Sequence, residues 1–225
     1  MNTFTVKVEK DQVTLDVQSV YCIGYSGRNQ EKVKEHIVEL AELGIPAPED
    51  VPMLYPVRKT SLYTGEEMEV IGTQTSGEAE IVLLFGDSED EIYVSVGSDH
   101  TDRGLETVDI NKSKQVCDKP LATKAWPLAS VKDHWEELTL SSYVKSDTDE
   151  WIPYQNETLK SILPLEDILA YLKKKEVALK NTIVFAGTVP LINGFVYGSG
   201  YKLELIDPVT DQRLSCEYGV TTIRD

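Results

Sequence analysis

Cysteine is scarce in this sequence of 225 residues: Cys22, Cys117 and Cys216 are far apart, and no pair has the CxxC spacing. An odd number of widely separated cysteines excludes a disulfide scaffold and a zinc knuckle as first interpretations. Free cysteine is usually a small buried apolar residue, so we expect these thiols to lie in the core and not to act as nucleophiles.

Positive charge is also scarce. The 22 Lys and Arg residues face 38 Asp and Glu residues, which gives a net charge of −16 and a pI near 4.6. Such a chain repels a phosphate backbone unless a local basic patch overrides the field. The one compact basic run, at 173–175, falls near the end of a predicted helix, where cations also suit the helix dipole. We therefore expect no nucleic-acid partner, whereas the acidic excess would help a site that collects a divalent cation.

Long apolar runs are missing as well. No stretch reaches membrane-spanning length, and the N-terminal MNTFTVKVEKDQVTLDV alternates like a strand instead of offering a signal-peptide core. We expect a cytoplasmic protein with no membrane association. The length is sufficient for one large domain, and we predict a single catalytic domain over 1–225 with an N-terminal lobe at about 1–60.

Hydrophobic patterning predicts mainly short strands. Residues 3–18 alternate in the manner of a hairpin. Further predicted strands cover 69–72, 78–86, 91–97, the segments NTIVFAGTVPL and YKLELIDP, and a last run through Leu214 and Tyr218. The interval from 105 to about 154 is irregular, and we expect an exposed loop at about 143–157.

Two helices are predicted. The first begins at Asn29 as N-cap, and Gly44 and Pro46 end it. Its apolar stripe consists of Val33, Ile37, Leu40 and Leu43. The second covers about 165–175, where Ile168, Leu169 and Leu172 share a face. Many short strands and few short helices indicate a β-rich α+β protein and not a parallel doubly wound fold.

Paired carboxylates begin the strand SGEAEIVLLFG. Side chains two apart on a strand share a face, so Glu78 and Glu80 lie side by side. Two like charges at such a short separation repel each other, which costs free energy unless a cation lies between them or one carboxyl group keeps its proton. The apolar run that follows predicts that the acidic end opens onto a pocket. The alternative is a pair of solvated acids at the start of a strand.

A third carboxylate follows from the predicted pairing. If Gly86 to Glu91 is the turn of an antiparallel hairpin, residues 97–99 lie roughly opposite 78–80, and Asp99 joins Glu78 and Glu80. Three hard oxygen ligands favour Mg²⁺ or Mn²⁺.

The first helix offers an acid and base pair. His36 and Glu39 are three apart at the edge of the apolar stripe, so they are neighbours on the helix surface. A histidine oriented by a carboxylate is a usual general base near neutral pH. The alternative is a half-buried histidine beside a surface glutamate.

Together these segments resemble the fumarylacetoacetate hydrolase superfamily. The chain contains, in order, GRN…HxxEL…P, GExE, SDxTxRxL, a lysine with CD and a later WP, FAGTVP and YGSGYKL. Family members typically have GxNYxxHxxE, ExE, NDxTxRDxQ, KxxD…GPW and TGTPxG…GD. The resemblance runs from about Gly24 to Gly219 and implies a β-rich fold of mixed roll or barrel type. The segments SKQVCDKPLA and HIVELAELGIPAP are similar to a small, functionally uncharacterised bacterial branch of that superfamily.

The resemblance also implies roles for individual residues. The metal ligands would be Glu78, Glu80 and Asp99. The dyad that activates water or shuttles protons would be His36 and Glu39. Arg103 would hold the metal loop and its carboxylates and belong to the substrate-binding set. Lys114 would stabilise developing negative charge, and Thr188 would bind the substrate's carboxylate or keto group.

The chain departs from the family pattern at several positions. The segment between the asparagine and His36 is longer, and Gly104 replaces an aspartate. Lys119 competes with Lys114 for the place of the pocket lysine and is a second substrate-binding candidate. His100 and Asp102 have no family counterpart, so we expect structural or supporting roles for them.

The resemblance implies a metal-dependent hydrolase or decarboxylase that cleaves a C–C bond next to a carbonyl in a small 2-oxo acid or diketo acid. One alternative is a hydratase or dehydratase of a 2-keto-3-deoxy acid at the same metal site. Another is a catalytically silent member that only binds a metal or a 2-oxo acid. A homodimer is expected from the family and from the general prevalence of two-fold oligomers.

Overall fold

The structure is a computed structural model that describes residues 3–42, 47–88, 90–146 and 148–223. The larger sheet in these ranges has eight strands in the order β2-β1-β12-β9-β8-β15-β3-β4. They are Thr3–Val8 (β1), Asp11–Asp16 (β2), Ser19–Gly24 (β3), Met53–Val57 (β4), Ala79–Phe85 (β8), Ile92–Ser98 (β9), Lys124–Pro127 (β12) and Thr182–Thr188 (β15). Most neighbours are antiparallel, but β1 pairs with β12 and β3 with β15 in parallel.

The smaller sheet has the order β14-β13-β16-β17-β6. Its strands are Glu67–Ile71 (β6), Thr139–Lys145 (β13), Trp151–Thr158 (β14), Gly200–Asp207 (β16) and Gln212–Ile223 (β17). Two short ladders join Leu62–Tyr63 (β5) to Lys119–Pro120 (β11) and Thr75–Ser76 (β7) to Thr101–Asp102 (β10). The predicted strands from 69, 78 and 91 onward, and those of the C-terminal third, are confirmed.

The helices are short apart from the first and last. They are Gln30–Glu42 (α1), Arg103–Glu106 (α2), Ile110–Gln115 (α3), Leu128–Val131 (α4) and Leu165–Lys174 (α5), with 3₁₀ turns at Lys59–Ser61, Lys132–Glu137 and Leu159–Ser161. The predicted cap of α1 is confirmed, since the Asn29 side chain accepts hydrogen bonds from the amides of Glu31 and Lys32, both at 3.1 Å. The predicted end of α1 at Gly44 and Pro46 lies outside the described residues.

The core explains why β8 is apolar on both faces. Ala79, Ile81, Leu83 and Phe85 pack in the cluster that the larger sheet shares with the smaller one. Val82 and Leu84 point to the opposite face, where they join residues of β1, β3 and β15. Because successive side chains of a strand alternate, Glu80 lies on this second face. All seven residues of β8 are buried.

Two sequence-based expectations are corrected. The segment 143–157 is not an exposed loop, because most of it forms the hairpin of β13 and β14. As the edge strand of the smaller sheet, β14 leaves Trp151 and Ile152 partly exposed, and the segment SDTDE that precedes it has the polar composition of a loop. The interval 105–154 also contains α3, α4 and β12, so it is more regular than expected. The strands within residues 1–60 all belong to the larger sheet, and the predicted N-terminal lobe at about 1–60 stays a prediction.

Two further expectations concern cysteines and membranes. Cys22 and Cys117 are buried and Cys216 is half-buried, and all three are free thiols. Burial raises the pKa of Cys22 and Cys117, which agrees with the expectation that they are not nucleophiles. Within the described ranges, no helix is long and apolar enough to cross a membrane.

Candidate functional site

The hairpin of β8 and β9 brings three carboxylates to one edge of the larger sheet. Ala79 pairs with Ser98 and Glu80 with Gly97, and the Asp99 amide donates to the Glu78 carbonyl at 3.1 Å. The predicted register is therefore confirmed. By alternation Glu78, Glu80 and Asp99 all lie on the face away from the smaller sheet. We refer to these three residues as the acidic cluster.

Glu80 is a buried carboxylate with little compensating charge. It is 4% exposed, and its Oε2 accepts a hydrogen bond from the Gly187 amide at 3.0 Å. Burial raises the pKa of Glu80 well above its ordinary range, and the charges of Asp99 and Glu78 raise it further. Among the described residues no Lys, Arg or His forms an ion pair with Glu80. A proton or an added cation would therefore stabilise the Glu80 carboxylate.

Asp99 lies between two buried lysines. Its Oδ2 is 2.5 Å from Lys114 Nζ, its Oδ1 is 3.3 Å from Lys119 Nζ, and the Thr101 hydroxyl donates to its carbonyl at 3.1 Å. Burial alone would raise the pKa of Asp99, but the two ammonium groups hold it well below the ordinary range. Asp99 is therefore ionised at neutral pH.

Glu78 is held by the guanidinium of Arg103. Arg103 Nη2 lies 2.8 Å from Glu78 Oε2, Nη1 lies 3.1 Å from Glu106 Oε2, and Nε donates to the Ser76 hydroxyl at 2.8 Å. This arrangement agrees with the predicted role of Arg103 in fixing the carboxylates. These contacts use the donor groups of the guanidinium. The predicted contact of Arg103 with a substrate stays a prediction.

The two candidate pocket lysines differ in their surroundings. Lys119 Nζ donates to the carbonyls of His100 and Lys114, each at 2.5 Å, and of Cys117 at 3.2 Å, besides its contact with Asp99. An ammonium has three N–H groups, so these acceptors use all of them. Lys119 is fully buried and braces the turn after β9. Lys114 Nζ lies 5.5 Å from the centroid of the Tyr55 ring and donates a hydrogen bond to the Asp99 carboxylate.

Gln155 supports the start of β8 and was missed by the sequence analysis. Its Oε1 accepts from the Ala79 amide and the Ser142 hydroxyl, both at 2.8 Å. Its Nε2 donates to the Thr188 hydroxyl and the Val189 carbonyl, both at 2.7 Å. Ala79 stands between the two glutamates of the cluster, so Gln155 fixes the strand at that point. A lone glutamine in an edge strand gives no sequence signal for this role.

Thr188 and Gly187 join β15 to the cluster. The Thr188 hydroxyl donates to the Ala79 carbonyl at 2.7 Å, so its one proton forms a hydrogen bond between β15 and β8. Its predicted contact with a substrate stays a prediction. Gly187 has φ +144°, and Ser26 Oγ occupies the space that a Cβ atom at this position would need. A side chain at 187 would displace the amide that serves Glu80.

Two tyrosines line the side of Lys114, and the sequence analysis did not identify them as site residues. Tyr25 follows β3 with a left-handed backbone, φ 58°, which is uncommon for a residue other than glycine. Burial raises its pKa, as does Glu106, whereas Lys114 and a hydrogen bond with Tyr55 oppose the increase. Burial also raises the pKa of Tyr55. Both phenols are therefore neutral at pH 7.

His36 and Glu39 lie on α1, but their side chains are outside the part of the chain that the structure describes. The dyad therefore stays a prediction from spacing and resemblance.

His100 and Asp102 have structural positions, as expected. His100 is fully buried, its Nδ1 lies 3.0 Å from the Tyr218 hydroxyl, and its ring packs edge-on against Tyr201 and Tyr218. Asp102 caps α2 by accepting from the Leu105 amide at 2.9 Å.

The acidic cluster suits a divalent cation in its donor chemistry, although its side chains do not surround a common point. In the described ranges, no three Cys, His, Asp or Glu side chains are arranged to hold a metal ion. Glu78 is instead bonded to Arg103 and Asp99 to Lys114. The donor set is three carboxylates on one face, one of them without an ion pair among the described residues, and hard oxygen donors of this kind are the ones that Mg²⁺ and Mn²⁺ prefer. Binding would require these ion pairs to be shared or exchanged.

Several solved structures have the same fold as this chain but low sequence identity to it. A candidate fumarylpyruvate hydrolase from Burkholderia cenocepacia has a TM-score of 0.66 at 18% identity, covering 98% of this chain and 92% of that one. A fumarylpyruvate hydrolase from Pseudomonas aeruginosa in complex with Mn²⁺ and pyruvate has a TM-score of 0.61 at 15% identity, covering 100% and 97%. A 2-keto-3-deoxy-D-arabinonate dehydratase complexed with magnesium and 2,5-dioxopentanoate has a TM-score of 0.66 at 15% identity, covering 96% and 78%.

These similarities establish the fold, which is the predicted β-rich fumarylacetoacetate hydrolase-like fold. A sequence comparison with curated proteins finds no match. A family model described as "Protein of unknown function (DUF2848)" matches residues 23–218. Since that match spans most of the chain, the protein belongs to the DUF2848 family.

Proposed function

We propose that this protein is a divalent-metal-dependent enzyme that cleaves a C–C bond next to a carbonyl in a small 2-oxo acid or diketo acid, by hydrolysis or decarboxylation. The observation that carries the proposal is the register of β8 and β9, which places Glu78, Glu80 and Asp99 on one face with Lys114 at their side. The ligands named for the structural neighbours, Mn²⁺ with pyruvate and magnesium with 2,5-dioxopentanoate, support it.

The acidic cluster would hold Mg²⁺ or Mn²⁺. When bound, the cation would polarise the substrate carbonyl and supply positive charge beside the oxygen that becomes negative as the bond breaks. Arg103 holds Glu78 and the Gly187 amide holds Glu80, so two of the three ligands are oriented by other parts of the chain. The Gly187 contact lowers the cost of assembling the site, whereas the ion pair of Arg103 with Glu78 would have to be shared with the cation.

Lys114 is our choice for the group that stabilises negative charge on the substrate. Its ammonium is buried and bonded to Asp99, and the charge of Asp99 keeps its pKa above the ordinary range despite burial. Lys114 therefore stays cationic at neutral pH and can donate to a substrate oxygen in a setting of low dielectric. Lys119 is more enclosed, and we assign it the support of the turn and of Asp99.

His36 would accept a proton from water or shuttle one to the product, with Glu39 orienting its ring. This part of the proposal comes from the sequence alone. The homodimer and the cytoplasmic location likewise remain predictions.

Hydration or dehydration of a 2-keto-3-deoxy acid at the same cluster is the second candidate reaction. The dehydratase among the structural neighbours favours it. A catalytically silent protein that binds a metal or a 2-oxo acid is the third possibility, and turnover separates it from both enzymes.

The test is product analysis with Mn²⁺ or Mg²⁺ on three substrate classes: oxaloacetate, acylpyruvates and 2-keto-3-deoxy acids. Carbon fragments support cleavage, and a change of one water without fragments supports the second candidate. Glu80→Gln should abolish turnover while retaining its far-UV circular dichroism, and Glu69→Gln, on an exposed part of β6, is the matched control. Metal-independent turnover, or equal activity in both variants, would overturn the proposal.

A further inference from the structure

The connection between β15 and β16 forms an ordered loop beside the acidic cluster. The Ile192 amide donates to the Tyr154 carbonyl at 2.9 Å, and the Tyr201 hydroxyl donates to the Val196 carbonyl at 2.9 Å. Between these points Gly194 has φ +76° and open space around it, which lets the chain turn. Residues 192–197, which we call the mouth loop, are therefore held at both ends.

The mouth loop exposes apolar surface. Ile192, Phe195 and Tyr197 are 50%, 39% and 42% exposed. Exposed apolar side chains are common singly, but three within six residues at the border of a candidate site indicate a contact surface.

Phe195 connects this surface to the cluster. Its ring centroid is 4.1 Å from Arg103 Cζ, close enough for a cation–π contact, and the same guanidinium bonds Glu78 at 2.8 Å. One residue therefore separates the exposed ring from a predicted metal ligand.

Among the described residues, the cations that contact the cluster are already paired. Arg103 faces Glu78 and Glu106. Lys114 and Lys119 both face Asp99. If the 2-oxo acid end of a substrate occupies the metal and Lys114, a second carboxylate on the tail would meet paired cations and an apolar loop. Desolvation of that carboxylate would then be uncompensated.

From these contacts we infer that the mouth loop recognises the substrate's tail and that the preferred substrates carry a neutral, apolar alkyl or aryl tail, not a second carboxylate. This inference rests on the proposed function, which supplies the site for the 2-oxo acid end. Phe195 is the specificity-determining residue, because it is the exposed ring that contacts the cluster's own arginine.

The test is calorimetric titration, at saturating Mn²⁺, with oxalate and with two inert mimics that share an oxamate head. N-phenyloxamate has an apolar tail and N-carboxymethyloxamate an acidic one. The wild type should bind the phenyl compound at least ~10-fold more tightly than the acidic one. Phe195→Ala should reduce this preference to about two- or threefold and leave oxalate binding unchanged, while Phe195→Leu should keep part of it. Val209→Ser, an exposed apolar position in a distant turn, should change nothing.

Each other outcome overturns a defined statement. If oxalate binds but the wild type prefers the acidic tail or neither tail, the inference fails and the proposed function stands. If neither oxalate nor either mimic binds with Mn²⁺, the proposed function fails and the inference with it. If Phe195→Ala leaves the tail preference intact, the assignment of Phe195 fails, and a changed molecular mass in light scattering would then identify the mouth loop as a contact between copies of the chain.

Discussion

Lys114 and Asp99 form a buried ion pair, with 2.5 Å between Nζ and Oδ2 and side-chain exposures of 8% and 2%. The pair lies where the sequence predicts a metal ligand, beside a glutamate that has no ion pair in the described ranges. Charge balance in the cluster therefore depends on protein cations. A buried pair of this kind is sensitive to the removal of one partner.

Replacing Lys114 should expose that dependence. We expect Lys114→Met to lower the free energy of unfolding by roughly 2–4 kcal/mol, since Asp99 loses its closest cation in a buried position. Urea denaturation at pH 7 without metal measures the loss. Lys112→Met removes an exposed lysine of the same helix, and we expect less than about 0.5 kcal/mol from it. Equal losses in the two variants would mean that the buried pair contributes no special stability.

Gly187 should tolerate no side chain. In Gly187→Ala the new Cβ would strike the Ser26 hydroxyl and the backbone would be strained at φ +144°. We expect a loss of roughly 2–4 kcal/mol in the free energy of unfolding and weaker Mn²⁺ binding, because the amide that serves Glu80 moves. Gly194→Ala tests the backbone effect alone, at φ +76° in open space, and should cost about 1 kcal/mol. A Gly187→Ala protein with normal stability and Mn²⁺ affinity would contradict the assigned role.

Gln155 should be a positioning residue for the cluster. Gln155→Ala removes four hydrogen bonds around Ala79 and Thr188, and we expect a loss of about 3 kcal/mol in the free energy of unfolding. Turnover should fall through kcat more than through KM, because the ligands are misplaced while the apolar mouth is intact. The neighbouring Asn156 is exposed, and Asn156→Ala should stay within about 0.5 kcal/mol of wild type. An unchanged kcat in Gln155→Ala would remove the link to the site.

The decrease of the free energy of unfolding at acid pH should depend on Asp207. Burial alone would raise its pKa, but hydrogen bonds from Thr210 and backbone amides, together with the contact of His134 Nε2 at 3.0 Å, hold the pKa below the ordinary 3.8. A depressed folded-state pKa gives stability that is present above 3.8 and lost as the pH falls through the folded value.

Asp207→Asn should therefore lose about 1–2 kcal/mol of unfolding free energy at pH 7, and the difference from wild type should shrink below about pH 4. Urea denaturation across this pH range measures it. Asp211→Asn, at an exposed turn, should give a small difference at every pH. A gap between Asp207→Asn and wild type that widened at low pH would reverse the predicted sign.

The sequence predicted the parts of the site that depend on short-range geometry. Alternation and one turn of a hairpin were enough to place Asp99 opposite Glu78, because side-chain direction and register are local properties of paired strands. The cap at Asn29 followed from the same kind of local chemistry.

Long-range contacts could not be predicted in this way. Gln155 reaches Ala79 across 76 positions of sequence, and its own strand, β14, follows the polar segment SDTDE and contains a proline, which is why a loop was predicted there. The same limit applies to the mouth loop, since the contact of Phe195 with Arg103 depends on how two sheets and their connections pack. The resemblance supplied candidate roles for Lys114 and Lys119. Their contacts in the structure distinguish them, because Lys119 donates to three backbone carbonyls whereas Lys114 donates to the Asp99 carboxylate.

The most direct test of the central claim is a thermal-shift titration with Mn²⁺, with and without oxalate, on the wild type and on Glu80→Gln. A ligand that binds the folded state raises the melting temperature by mass action. We predict that Mn²⁺ raises the melting temperature of the wild type, that oxalate raises it further only when Mn²⁺ is present, and that folded Glu80→Gln shows neither effect. A wild type that shows no change with Mn²⁺ and oxalate, or a Glu80→Gln protein that responds as the wild type does, would contradict the metal site.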